Sequence, residues 1–108
     1  MFFFSVPPGT PVISSPDIIM YQQTVTLTCT VIGGSPAPTV KWRRDDQVID
    51  DTFTFENNAY VNRYTFTATQ EEHLEVFECQ SANGVLQDAL TTTIYVRVYS
   101  KCANPSLL

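Results

Sequence analysis

The sequence is poor in basic residues and lacks long apolar runs. Six lysines and arginines, scattered along the chain, stand against eleven aspartates and glutamates, for a net charge of −5. A nucleic acid partner would require a basic face, so the composition argues against nucleic acid binding. No apolar run approaches the ~20 residues that a membrane span needs. The chain also has no Asn-x-Ser/Thr sequon, because Asn104 is followed by proline, which leaves the faces of the predicted domain free of N-glycan.

Groups that perform catalysis or hold metals are also scarce. His73 is the only histidine, lies in a predicted turn beside two glutamates, and has no nucleophile at a recognisable spacing. We expect a solvated loop residue there and no catalytic residue, metal site, cofactor or small-molecule substrate. Asp45-Asp46 and Asp50-Asp51 lack the glycine-punctuated ligand pattern of an EF-hand loop, which favours solvated turn carboxylates. A weak cation site between domains stays an alternative for these aspartates.

Alternation of apolar and polar residues with a period of two dominates the chain and predicts an all-β fold. From Thr24 to Val31, the apolar residues and Cys29 share one face and four threonines share the other, as in an antiparallel strand with one buried face. A length of 108 residues suits a single domain. Further strands are predicted at Thr39 to Arg44, Thr52 to Glu56, Tyr60 to Ala68, Glu75 to Ala82 and Ala89 to Tyr99.

The cysteines and the single tryptophan follow the same alternation. Cys29, Trp42 and Cys79 all fall on inward positions, which favours a Cys29–Cys79 bridge between two sheets. Closing a loop of 50 positions would stabilise the fold by roughly 4 kcal/mol in the chain-entropy model. Two buried free thiols are the alternative. Three interpretations of Cys102 stay open. It forms a disulfide with a neighbouring domain or a second chain, its partner cysteine lies outside this sequence, or it is a free thiol. The predicted core consists of Trp42, Leu27, Phe66 and Phe77.

Cys29, Trp42 thirteen positions later, and the string Phe77-Glu78-Cys79 resemble the Cys…Trp…Cys signature of immunoglobulin domains. The resemblance extends from about Pro11 to Tyr99, and the short cysteine separation is similar to that of the C2 and I sets. It implies a two-sheet antiparallel Greek-key sandwich with one inter-sheet disulfide. Phe77 stands where most such domains carry the tyrosine of the tyrosine corner. With Glu72 seven positions before the cysteine, this stretch is similar to domains of nephrin and kin-of-irre adhesion receptors.

The resemblance also implies a domain organisation and a location. We expect an N-terminal extension or inter-domain linker at residues 1–10, an immunoglobulin-like domain at 11–100 and a C-terminal linker at 101–108. Val6 to Pro11 resembles the proline-rich seam between tandem domains, whereas Met1 to Phe4 fits an expression scar equally well. The implied location is extracellular, in the ectodomain of a membrane protein or in a secreted protein, with neighbouring immunoglobulin domains in the parent chain.

The sheet that the family forms from its strands C, C′, F and G is the candidate binding face. Tyrosine and arginine often anchor interfaces, although mixed charge also suits an ordinary solvated sheet. The loop from Ala82 to Asp88, at one end of the sandwich, is a second candidate. The predicted outward residues of the sheet are Lys41, Arg43, Gln47, Glu78, Gln80, Tyr95 and Arg97, and the predicted loop contacts are Asn83, Gly84 and Leu86.

These features together predict a non-enzymatic, extracellular protein-binding module of a cell-surface adhesion or recognition receptor. Its predicted partner is another cell-surface protein, homophilic or heterophilic, bound through the C–F–G sheet. One alternative is a structural spacer in a tandem immunoglobulin array. Another is an intracellular muscle-type I-set domain with reduced cysteines, because the cytosol keeps thiols reduced.

Overall fold

The computed structural model describes residues 5–100, and these residues form ten β-strands and no helix. The strands predicted at Thr24–Val31 and Thr39–Arg44 have these bounds in the structure. Met1 to Phe4 and residues 101–108, with Cys102, lie outside the described residues, so the predictions for those segments stay predictions. The strands are β1 Val12–Ser14, β2 Ile19–Met20, β3 Thr24–Val31, β4 Thr39–Arg44, β5 Gln47–Asp50, β6 Thr54–Glu56, β7 Ala59–Thr67, β8 Val76–Ala82, β9 Leu90–Tyr95 and β10 Val98–Tyr99.

Eight strands form two four-stranded antiparallel sheets, with the orders β1-β3-β7-β6 and β5-β4-β8-β9. The chain changes sheet between β3 and β4, between β5 and β6, and between β7 and β8, which is the Greek-key arrangement expected. β2 and β10 form a separate parallel pair, in which Ile19 lies opposite Val98. The predicted all-β sandwich is therefore confirmed. Among residues 5–100 the structure contains no helix of the length and hydrophobicity that a membrane span requires.

The predicted last strand, Ala89 to Tyr99, is two strands in the structure. β9 ends at Tyr95 and β10 begins at Val98, because the second half of this segment pairs with β2 instead of continuing along β8. Between them, Val96 N donates to the Glu75 carbonyl (2.9 Å) and Leu74 N donates to the Val96 carbonyl (2.8 Å). Val96 and Val98 are buried, as their alternation predicts.

The core is built around the disulfide. Cys29 on β3 and Cys79 on β8 are fully buried and bonded, with an S–S distance of 1.98 Å, so the bridge joins the two sheets as predicted. Trp42 on β4 is also fully buried, and its Nε1 donates to the Asn62 carbonyl at 3.0 Å. Because this bond occupies the indole N–H, the whole ring is buried without an unpaired donor. Leu27 and Phe77 are fully buried as well, and Phe66 is partly buried against this cluster.

An arginine, not a tyrosine, ties down the turn that precedes β8. The Phe77 ring stacks on Phe66 with 5.4 Å between ring centroids, and the Arg44 guanidinium lies 5.4 Å from the Phe77 centroid. Arg44 donates through Nη2 to the Glu71 carbonyl (2.5 Å) and through Nη1 to the Glu72 carboxylate (3.5 Å). Glu72 in turn accepts hydrogen bonds from the Thr69 amide and hydroxyl, both at 2.7 Å. Arg44 thereby connects β4 to this turn.

His73 in the same turn has a structural role that the sequence did not predict. It is half-buried, and its Nδ1 accepts a hydrogen bond from the Val98 amide at 2.9 Å. The expectation of a simply solvated loop residue is therefore wrong. The bond fixes the start of β10 against the turn, because an amide inside the sandwich needs an acceptor.

Candidate protein-binding surface

The outer face of the β5-β4-β8-β9 sheet brings most of the predicted surface residues together. The antiparallel register places Lys41 opposite Gln80 and Arg43 opposite Glu78. Because side chains alternate between the two faces of a strand, residues that lie opposite outward positions point outward as well. We call this set the candidate face; it comprises Lys41, Arg43, Val48, Val76, Glu78, Gln80, Thr91, Thr93 and Tyr95.

An ion pair lies at the centre of the candidate face. Arg43 Nη1 is 3.2 Å from Glu78 Oε1, and the two side chains are 25% and 29% exposed. Arg43 Nη2 also donates to the Asp46 carbonyl at 2.9 Å, which holds the guanidinium in place. Such a cross-strand pair contributes about 0.2–1 kcal/mol to stability. Its charges stay accessible to a partner.

Two apolar side chains lie beside this ion pair. Val76 and Tyr95 are direct partners in the register of β8 and β9, and they are 46% and 49% exposed. On the other side, exposed Val48 lies opposite Arg43. The sequence predicts Tyr95 here but misses both valines. Val76 carries a usable signal, since an apolar residue directly before inward Phe77 must face outward.

Two other predicted residues lie at the border of the candidate face. Gln47 is exposed, but it pairs with Arg44, so the alternation of the strand directs Val48 and not Gln47 to the side of Arg43. Arg97 lies between β9 and β10, and its guanidinium is 5.4 Å from the centroid of the Tyr95 ring. A cation at this distance from an aromatic face makes a favourable cation–π contact. Arg97 therefore extends the candidate face beyond the end of β9.

The aspartates near the candidate face lie in a turn or at the end of a strand. Asp45 and Asp46 both have positive φ angles, 52° and 61°, and connect β4 to β5 in a two-residue hairpin turn. Two consecutive positive φ angles are typical of a type I′ turn, in which Asp is one of the favoured residues. Asp50 Oδ1 accepts hydrogen bonds from the Thr52 amide and hydroxyl, at 2.7 and 2.6 Å. Residues 5–100 contain no group of three or more His, Cys, Asp or Glu side chains placed to hold a metal ion.

The candidate loop after β8 is held by internal hydrogen bonds. Asn83 Nδ2 donates to the Val6 carbonyl (2.7 Å) and the Pro36 carbonyl (2.9 Å), while its Oδ1 accepts from the Val85 amide. This side chain therefore ties the loop to the N-terminal segment. Gly84 and Leu86 are exposed. Asn83 is half-buried, so all three predicted loop residues keep some surface toward solvent, and their role as contacts stays a prediction.

The outer face of the other sheet offers a comparison. There, Nη1 and Nη2 of Arg63 both donate to the carboxylate of Glu56, and the Thr54 hydroxyl donates to the same carboxylate at 2.9 Å. The hydrogen bonds from Arg63 and Thr54 lower the pKa of Glu56, and the hydrogen bond to Glu56 raises the pKa of Arg63. Val12 on β1 is 65% exposed on this face. Both sheets thus carry an ion pair and an exposed valine on the outer face, although the Arg43–Glu78 pair is the less exposed of the two.

The family model for the immunoglobulin domain matches residues 10–83. The chain belongs to the immunoglobulin domain family. By structure, this immunoglobulin domain is similar to the full ectodomain of mouse nectin-like molecule 4, with a TM-score of 0.76, 19% identity and coverage of 89% of this chain and 35% of that chain. It is also similar to Rst D1-D2, with a TM-score of 0.73, 25% identity and coverage of 87% and 50%.

A third similar structure holds the N-terminal eight immunoglobulin domains of Down Syndrome Cell Adhesion Molecule, with a TM-score of 0.62, 23% identity and coverage of 89% and 12%. The immunoglobulin domain thus spans at most half the length of these three structures. A search of curated protein sequences found no significant match. The expected immunoglobulin-like fold is confirmed.

Proposed function

We propose that this chain is an extracellular protein-binding module of a cell-surface adhesion or recognition receptor, and that it binds another protein through the candidate face. The observation that carries the proposal is the pairing of half-exposed Val76 with half-exposed Tyr95 beside the Arg43–Glu78 ion pair. Aromatic residues and arginine are enriched in protein interfaces relative to the rest of the protein surface.

The energetics favour burial of this cluster. Fully burying a valine-sized side chain is worth about 1.5–3 kcal/mol, so covering the exposed halves of Val76 and Tyr95 yields on the order of 2 kcal/mol. Tyrosine and arginine supply much of the binding energy at protein interfaces, and Tyr95, Arg43 and Arg97 lie close together here. On a solvated face, the cross-strand pair of Val76 and Tyr95 would still contribute roughly 0.2–1 kcal/mol to the sheet, which is less than its burial by a partner would yield.

The disulfide supports an extracellular location. Cys29 and Cys79 are bonded in the centre of the core, and such bridges persist in oxidising compartments but are rare in the cytosol. Two of the similar structures are an ectodomain and a cell adhesion molecule. Thiol counting on protein from its native source separates this location from the intracellular alternative. Free thiols at both Cys29 and Cys79 would contradict an extracellular role.

The binding face is tested by Val76→Arg, with Val12→Arg as the matched control on the opposite sheet. The domain is applied as a labelled multimer to a panel of cells that display candidate ectodomains, with this chain among them. We expect Val76→Arg to abolish binding and Val12→Arg to retain it, while both variants keep the wild-type melting temperature. Equal binding by Val76→Arg and wild type would refute this face.

A structural spacer is the second candidate, and the N-terminal segment favours it. Val6 and Ser35 exchange two backbone hydrogen bonds of 2.8 Å, and Gly9 N donates to the Ile32 carbonyl at 2.9 Å. The segment is therefore fixed to the end of the sandwich, as a rigid joint between domains requires. A spacer would bind none of the displayed ectodomains, and variants of the candidate face would then have no effect.

A further inference from the structure

Asn83 connects three segments of the chain through one side chain. Its Nδ2 donates to the Val6 carbonyl in the N-terminal segment (2.7 Å) and to the Pro36 carbonyl in the loop between β3 and β4 (2.9 Å). Its Oδ1 accepts from the Val85 amide at 3.2 Å, within its own loop. The nitrogen of a side-chain amide only donates hydrogen bonds, and the oxygen only accepts them. This attachment of the N-terminal segment therefore requires an amide nitrogen at position 83.

The residue after Asn83 makes this amide chemically labile. Gly84 is exposed, has a φ angle of 84° and has open space where a side chain would lie. Its backbone nitrogen donates no hydrogen bond within residues 5–100, and no Cβ shields it from the neighbouring side chain. The Val85 amide donates to Oδ1, the atom that takes up negative charge when a nitrogen attacks Cγ of Asn83. A donor in this position stabilises the reaction as an oxyanion hole does.

We propose that Asn83 is a site of deamidation, and that the N-terminal segment, residues 5–10, controls the reaction. The Gly84 nitrogen forms a bond to Cγ of Asn83, the Cγ–Nδ2 bond breaks, and Nδ2 leaves as ammonia with the proton of the Gly84 amide. Water then opens the succinimide ring, and the product is aspartate or isoaspartate. The reaction consumes only water, releases ammonia and changes no oxidation state.

The hydrogen bonds of Nδ2 determine when this reaction proceeds. While Nδ2 donates to the carbonyls of Val6 and Pro36, the bonds stabilise the amide and hold the leaving nitrogen in place. Detachment of the N-terminal segment removes the Val6 carbonyl and lets the side chain move toward the Gly84 nitrogen. Such a local opening costs less free energy than global unfolding. Deamidation is therefore fast only while the segment is detached.

The product does not restore the attachment. A carboxylate has only acceptor oxygens, so the carbonyls of Val6 and Pro36 would face a negative charge and no donor. The segment keeps its backbone hydrogen bonds to Ser35 and Ile32 but loses the bond to the loop after β8. One irreversible reaction thus converts a fixed N-terminal segment into a loosely held one. This inference is independent of the candidate face.

Two variants of the N-terminal segment test its control over the reaction. A Cβ atom at Gly9 would lie 2.8 Å from the Ile32 carbonyl oxygen, so Gly9→Ala pushes the segment away from the sandwich. Thr10→Ala, at an exposed neighbouring position, is the matched control. The variants and the wild type are incubated at neutral pH, and conversion of Asn83 is followed by mass spectrometry of its peptide. We expect Gly9→Ala to deamidate about tenfold faster than the other two, since loss of one hydrogen bond shifts an opening equilibrium by roughly this factor.

Asn83→Asp supplies the product directly and tests its effect on the segment. The amides of Val6 and Gly9 donate to the carbonyls of Ser35 and Ile32, so their hydrogen exchange measures attachment. We expect both amides to exchange about tenfold or more faster in Asn83→Asp, while the amides of β3 exchange as in the wild type. An Asn83 amide that survives as long in Gly9→Ala as in the wild type overturns the inference. Unchanged exchange of Val6 and Gly9 in Asn83→Asp overturns it as well.

Discussion

Trp42 and Cys79 are direct partners across the β4–β8 ladder, so the indole and the disulfide occupy neighbouring positions in one sheet. Cys79 reaches across to Cys29 in the opposite sheet, whereas Trp42 donates to the carbonyl of Asn62, also in the opposite sheet. One covalent bond and one hydrogen bond, from adjacent residues, therefore hold the two layers together. Loss of either should weaken the same junction.

Truncation of the indole should severely destabilise the domain. Trp42→Ala removes a fully buried aromatic side chain and leaves the Asn62 carbonyl without its donor, for a loss of about 3–5 kcal/mol. The loss is measured as the free energy of unfolding in urea. Tyr95→Ala, which truncates an exposed aromatic residue, is the control and should cost far less. A Trp42→Ala variant that unfolds at the wild-type urea concentration would contradict the core assignment.

Removal of the disulfide should cost a similar amount for a different reason. The bridge closes a loop of 50 positions, and its loss frees the unfolded chain, which the chain-entropy model values at roughly 4 kcal/mol. The double variant Cys29→Ala/Cys79→Ala should lose this stability, and a thiol reductant should then have no further effect on its melting temperature. A double variant as stable as the wild type would show that packing alone holds the sheets together.

Arg44 should matter for stability although it is a charged residue at the end of a strand. Arg44→Met keeps the aliphatic stem but removes the bonds to the Glu71 carbonyl and the Glu72 carboxylate, for an expected loss of about 1–3 kcal/mol. The control is Arg97→Met. The Arg97 guanidinium contacts the exposed Tyr95 ring, so we expect the free energy of unfolding to change by no more than about 0.5 kcal/mol. Equal unfolding free energies for the two variants would remove the proposed anchoring role of Arg44.

The sequence predicts the central strands because their alternation is long and unbroken. Thr24–Val31 alternates over all eight residues and Thr39–Arg44 over its first five, and both strands are found at their predicted bounds. β1 and β2 contain only three and two residues and are separated by a stretch that includes Pro16. The parallel pairing of β2 with β10 joins distant parts of the chain, so no local pattern reveals it.

In the candidate site, the local sequence likewise does not reveal which distant groups a side chain contacts. Arg43 and Arg44 are neighbours in the sequence, yet one lies on the outer face and the other bonds to a turn 27 and 28 positions later. Asn83 is a polar residue in an exposed loop, which predicts a contact with a partner. In the structure, its side-chain amide donates hydrogen bonds to the carbonyl groups of Val6 and Pro36. Alternation determines on which face a residue lies. Its partners depend on the tertiary fold.

The ion pair between Glu56 and Arg63 should give a measurable pH dependence. Hydrogen bonds from Arg63 and Thr54 lower the pKa of Glu56 in the folded state, so the folded protein binds this proton less readily than the unfolded chain. The stabilisation is present above the unfolded-state pKa of glutamate, about 4.3, and is lost as the pH falls through the lower folded-state value. NMR titration of the Glu56 carboxyl should show this lowered pKa, and Arg63→Gln should return it toward the ordinary value. An unchanged titration midpoint in Arg63→Gln would show that the ion pair does not form in solution.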